Sequence, residues 1–91
     1  MSKASEAVMR FHAKRLILAR QIKLEHGCMD CPPGITWPAI VLDFDHVRGK
    51  KEFGITTKKA RSASLERFMA EIAKCDVVCA NHHRIRTSER G

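Results

Sequence analysis

Apolar positions along the chain change period several times, and each change marks an element. Over residues 3 to 25, Val8, Phe11, Leu18 and Ile22 recur at helical spacing, with Arg15 on the same stripe and Lys14, Arg20 and Lys23 off it. That spacing predicts one long amphipathic helix that covers a small core rather than one that reads nucleic acid. Ser2 or Ser5 can cap its start and Gly27 its end. The segment "CPPGITWPAI" is too rich in proline for a helix and predicts a turn. The run that follows alternates as a strand does, with Ile40, Leu42 and Phe44 on one face and Val41, Asp43 and Asp45 on the other. From Arg48 to Ser64 basic residues and Gly49 and Gly54 dominate, which predicts an exposed loop. Ser64 caps a second helix with Glu66 in its first turn and Leu65, Phe68, Met69 and Ile72 on one face. A short apolar step, Val77 and Val78, leads into "CANHHRIRT", the opening of a last helix.

These elements predict an α+β fold in one domain over residues 1 to 91. A chain this short buries a thin core and needs a staple. Arg10, Lys14, Arg15 and Arg20 interrupt the apolar residues near the N-terminus, so no signal peptide is expected, and no stretch is apolar enough to span a membrane. The expected setting is intracellular, where thiols stay reduced and spaced cysteines bind metal more often than they pair. Seventeen Lys and Arg against ten Asp and Glu give a net charge of +7, which favours an acidic polymer as partner.

Cys28 and Cys31 form a C-x2-C pair, and Cys79 and His82 a C-x2-H pair. Together they supply four thiolate or imidazole ligands, the set that tetrahedral structural zinc takes. Cys75 competes for a place in that set, but its position on the helix side reads as a small buried hydrophobe.

Clamping the two knuckles brings His83 toward the strand that carries Asp45 and His46. A carboxylate, an imidazole and a second, free imidazole then converge. Phosphodiester hydrolysis uses such a set: a divalent ion neutralises the phosphate while a neutral histidine takes a proton from water. The basic loop, with Arg48, Lys50 and Lys51, and the basic Arg84 and Arg86 would hold a nucleic-acid backbone.

"CMDC", "LDFDHVRGKK" and "CDVVCANHHRIRT" together resemble the small HNH endonucleases of phages and bacteria, the ββα-metal nucleases. The resemblance covers residues 28 to 87 and leaves only the N-terminal helix outside. It implies that His46 is the general base, that Asp45 and His83 ligate a catalytic Mg2+ or Mn2+, and that the paired knuckles hold structural Zn2+. It also implies DNA as substrate, nicked or cut to 5′-phosphate ends, in a bacterial or phage-infected cell. Packaging or DNA-processing proteins are partners by the same analogy. The chain departs from the family in two places. His82 stands where the family usually has cysteine, and the middle Asn has no counterpart at Lys74, Cys75 and Asp76, while Asn81 sits inside the second knuckle and is expected to shape its turn. A backbone carbonyl is expected to orient His46. The alternative reading is a zinc-stapled module that binds nucleic acid without cutting it.

Overall fold

The computed structural model describes the backbone of residues 3–91 and side chains from residue 13 onward. The expected Ser2 or Ser5 cap and the Val8 and Phe11 positions of the helical stripe lie outside the described side chains. Helix α1 spans Lys3–His26. It ends at Gly27, whose positive φ of 64° is the left-handed conformation a helix stop requires and whose N–H donates to the Lys23 carbonyl at 2.8 Å. Arg15 sits on the buried stripe, as the periodicity places it. Its guanidinium escapes desolvation by donating to the Ala63 carbonyl at 3.3 and 3.4 Å and by lying 5.9 Å from the centre of the Phe68 ring.

The strand begins later than its alternation suggests. Ala39–Val41 form a 3-10 turn, closed by the Val41 N–H on the Pro38 carbonyl at 3.0 Å, and Ile40 stands 91 % exposed. Proline fixes the chain direction there and leaves Ile40 off the sheet. Strand β1, Leu42–His46, pairs antiparallel with β2, Cys75–Cys79, in the register Leu42 to Cys79, Phe44 to Val77 and His46 to Cys75. Helix α4, Ala80–Arg90, follows β2 directly and completes a ββα core to which α1 is added.

Between the strands lie two helices, α2 at Lys58–Ser62 and α3 at Leu65–Ile72. The Ser64 hydroxyl accepts the Arg67 N–H at 3.2 Å, so the cap expected for α3 forms. Of its apolar face Phe68 is fully buried and Ile72 partly so, whereas Leu65 and Met69 stay half exposed at the solvent edge of that face. The stretch from Arg48 to Ser64 is not simply an exposed loop. Phe53, Ile55, Ala60 and Ala63 are buried and form the main core with Ala19 of α1 and Phe68. A second cluster, Leu42, Val77 and Cys79, lies beside Trp37, Cys28 and Cys31, and Phe44 packs against both clusters. Truncating Phe68 would open a cavity where the helices meet, a change that costs about 3–5 kcal/mol.

Candidate functional site

The four knuckle residues come together. Cys28, Cys31, Cys79 and His82 offer ligand atoms that all lie within 4.8 Å of one another. His82 Nδ1 lies 3.1 Å from the Cys79 sulfur, 3.4 Å from that of Cys31 and 3.7 Å from that of Cys28, and the Cys31 and Cys79 sulfurs are 3.8 Å apart. Ligands on a tetrahedral zinc with bonds of ~2.1–2.3 Å stand roughly 3.5–3.8 Å apart, so the donor set fits that ion in size as well as in chemistry. Histidine in place of a fourth cysteine keeps the count. The Cys28 thiol is drawn down to about 7, burial being outweighed by hydrogen bonds from the Cys79 backbone, Cys31 and the Asp30 backbone. Trp37 Nε1 donates to the Cys31 sulfur at 3.4 Å. Turn shaping falls to Cys79 rather than to Asn81: its sulfur accepts the His82 N–H at 3.5 Å, while Asn81 is exposed. Cys75 stays outside the cluster. It packs on the main core, and burial, with Glu71 nearby, raises its thiol to about 11.

Strand period 2 points Asp43 and Asp45 to the face that α4 covers, and His46 to the face that α3 approaches. His83, on the first turn of α4, lies between the two carboxylates, its Nδ1 3.0 Å from Asp43 Oδ2 and its Nε2 3.7 Å from Asp45 Oδ1. Asp45 is 97 % buried and its oxygens are taken: Arg90 donates to both at 2.8 and 2.6 Å, and Arg86 to one at 3.0 Å. The Arg90 hydrogen bond leads in holding the Asp45 carboxyl at about 2, against burial and with Arg86 adding to it. Asp43 is 42 % exposed and faces a cleft of about 380 Å3 that His46, His83, Lys23 and Lys51 also line. Asp43 belongs in the candidate site although only Asp45 was selected from the sequence; its place two residues before Asp45, on the same strand face, was the signal.

The orienting partner of His46 is a carboxylate, not a backbone carbonyl. His46 Nε2 lies 3.0 Å from Glu71 Oε2, and Glu71 also accepts from Lys74 Nζ at 2.8 Å and the Glu52 N–H at 3.0 Å. Burial pushes the Glu71 carboxyl up, but Lys74, the Glu52 N–H and His46 together pull it down to about 2. An ionised carboxylate only accepts, so Nε2 of His46 carries the hydrogen and Nδ1 is left as the basic nitrogen. Glu71 was also missed in the sequence. Its mark is a charged residue at position i+3 from Phe68 on the apolar face of α3.

The basic residues divide into two sets. Lys51 lines the cleft and Arg84 lines a shallower one that shares Asp43 and His83 with it. Lys50 is exposed near them in the chain, its carbonyl accepting from Lys74. Arg48 turns away to bond the Ala73 and Cys75 carbonyls and Asp76, closing the end of α3. Arg86 is 83 % buried and holds Asp30 through two bonds as well as Asp45 and Asp76. Asp45 and Asp76 stand opposite each other across the ladder, where like charges repel, and the Arg86 Nη1 at 3.0 Å from each neutralises the pair. Among the described residues no helix is long and apolar enough to cross a membrane.

Comparison with known protein families, with curated proteins and with solved structures finds no match, so the reading of the site rests on its own geometry.

Proposed function

We propose that this ββα module, stapled by zinc on its Cys3His cluster, is a metal-dependent endonuclease of HNH type acting on DNA. The observation that carries the reading is the convergence of Asp43, His46 and His83 on one open cleft, with Lys51 at its edge. In this reading His83, Asp45 and Asp43 supply nitrogen and oxygen donors for a Mg2+ or Mn2+ ion, which would neutralise the phosphate under attack. His46, with its Nε2 hydrogen given to Glu71, takes the proton of the attacking water on Nδ1. Arg90 is half exposed and is free to leave Asp45 for a substrate phosphate. Lys51 and Arg84 hold the flanking backbone.

A specific observation favours the second reading, a module that binds nucleic acid and does not cut. Asp45 already has its charge met by Arg86 and Arg90, and a carboxylate so satisfied has no need of a cation. One assay separates the two. Zinc-loaded protein is incubated with supercoiled plasmid, with magnesium, with manganese and without either, beside a His46→Ala variant. Nicking that needs the added ion and His46 supports the nuclease; binding without nicking under every condition leaves the module.

A further inference from the structure

The cleft at Asp43 and His83 does not end there. At one side it shares those two residues with the shallower cleft at Arg84 and Thr87. At the other it shares Lys23 and Thr56 with a third cleft, lined further by Arg20, Leu16 and Ile40. The three together make one trough from α4, across β1, to the flank of α1. Arg84 and Arg20 stand toward its ends, and in its middle Lys23 and Lys51 flank Asp43, the single carboxylate in the lining of the three clefts. Asp43 has no lysine or arginine within ion-pair distance among the described residues.

We propose that this trough is a track for a nucleic-acid backbone, and that α1 belongs to the binding surface through Arg20 and Lys23. The proposal rests on the nucleic-acid partner inferred above and adds to it residues outside the ββα core. Charge complementarity is the argument. Arg20 and Lys23 are three apart on one helix and so share a face. Lys23 lies with its Nζ 5.4 Å from the centre of the Phe44 ring, above the strand that carries Asp43, and no carboxylate comes within ion-pair distance of it among the described residues. A partly buried ammonium that lies over an aromatic ring and lines two of the three clefts is placed to meet an incoming phosphate. Burial lowers its pKa, against the pull of Asp43 and with the help of Arg20. Ile40, 91 % exposed on a proline-fixed turn in the same trough, offers the apolar contact that a sugar or base edge takes. A single carboxylate among basic side chains suits a phosphate that meets the protein at Asp43 through a divalent ion. Amphipathic α1 thus has two jobs, one for each face: Ala19 and Ile22 seal the core, and Arg20 and Lys23 face the trough.

The test is the salt dependence of binding of a short fluorescent DNA duplex of mixed sequence to the full, zinc-loaded chain in calcium. Arg20→Gln with Lys23→Gln is expected to weaken binding and to reduce the slope of log K against log salt by about 2, one for each phosphate no longer neutralised. Lys59→Gln with Arg67→Gln removes the same charge away from the trough and is expected to leave the slope near wild type. Arg20→Lys with Lys23→Arg keeps the charge and should restore the slope, which guards against a folding defect. An unchanged slope in the first variant, an equal drop in the control pair, or no binding by the wild-type chain overturns the track. Plasmid nicking in magnesium is scored separately. Nicking by wild type with an unchanged slope removes the track and keeps the nuclease; a slope drop with no nicking keeps the track and removes the nuclease.

Discussion

His46 and Glu71 meet at 3.0 Å, Nε2 to Oε2, across the boundary between strand and helix, and the carboxylate is 99 % buried. The bond fixes the ring of His46 and its tautomer at once. His46→Ala should abolish most cleavage while leaving zinc content and DNA affinity close to wild type, because a base acts on the transition state, and should lower the melting temperature modestly, since Glu71 loses one of its three hydrogen-bond partners. The loss of cleavage should be about 100-fold or more. Cleavage per folded, zinc-loaded molecule measures it, and near-equal rates would remove His46 from the mechanism.

Glu71→Gln tests the support beneath it. The amide can still accept from Nε2, but it leaves Lys74 without its ion pair and cannot match the Glu52 N–H and the histidine as strongly. Breaking a buried, multiply bonded carboxylate costs on the order of 3–5 kcal/mol. Urea denaturation should show that loss, and cleavage by the fraction that remains folded should fall as well.

Acid stability carries the same signature. The folded-state pKa of Glu71 lies well below its unfolded value, so its stabilising contribution is complete above about pH 5 and is lost as the pH falls toward 2. Asp45 has the same sign and the same window through Arg90 and Arg86. Zinc release adds to acid unfolding, so the informative quantity is the difference between wild type and Glu71→Gln. That difference should shrink by a few kcal/mol between pH 5 and pH 2. A constant gap would show that folding leaves the pKa of Glu71 unchanged, and a gap that widens toward acid would show a carboxyl kept protonated in the folded chain.

The zinc staple has a built-in reporter. Trp37 is the chain's one tryptophan and donates to the Cys31 sulfur. Stripping the metal with a chelator should shift its emission to the red as the second core cluster opens, together with loss of helical circular dichroism. Elemental analysis should find about one zinc per chain, the stoichiometry of a single closed site. Cys28→Ser or Cys31→Ser should mimic stripping, while Cys75→Ser should cost no more than an ordinary core change, ~1–3 kcal/mol.

Asp43 and Asp45 should separate by stability rather than by metal affinity. Both substitutions to Ala are expected to weaken Mn2+ binding followed by calorimetry. Only Asp45→Ala should also cost about 3 kcal/mol or more, since it leaves Arg86 facing a gap on its buried side. Equal Mn2+ affinity in wild type and both variants would refute the carboxylate ligands.

Much of this was legible in the residues. The C-x2-C and C-x2-H spacings announced the cluster because a metal acts through a few side chains at short, fixed separations. Ser64 before an apolar stripe announced α3. What stayed hidden depends on partners far along the chain. Phe53, Ile55, Ala60 and Ala63 are lone apolar residues in a basic stretch with no period, and only the approach of α1 makes them core. Thr57 capping α2 was masked by the lysines around it. Arg86 read as a phosphate contact because its three carboxylate partners, Asp30, Asp45 and Asp76, lie in separate segments.

The grip of Arg86 gives the knuckle a reach beyond holding the fold together. Asp30 sits inside the turn between Cys28 and Cys31, and the guanidinium that holds it also holds Asp45. Any event that reshapes the turn, such as oxidation of its thiols, pulls on a guanidinium that also holds Asp45, the carboxylate 3.7 Å from His83. Loosening the staple would therefore be felt at Asp45 as well as in the loss of the fold.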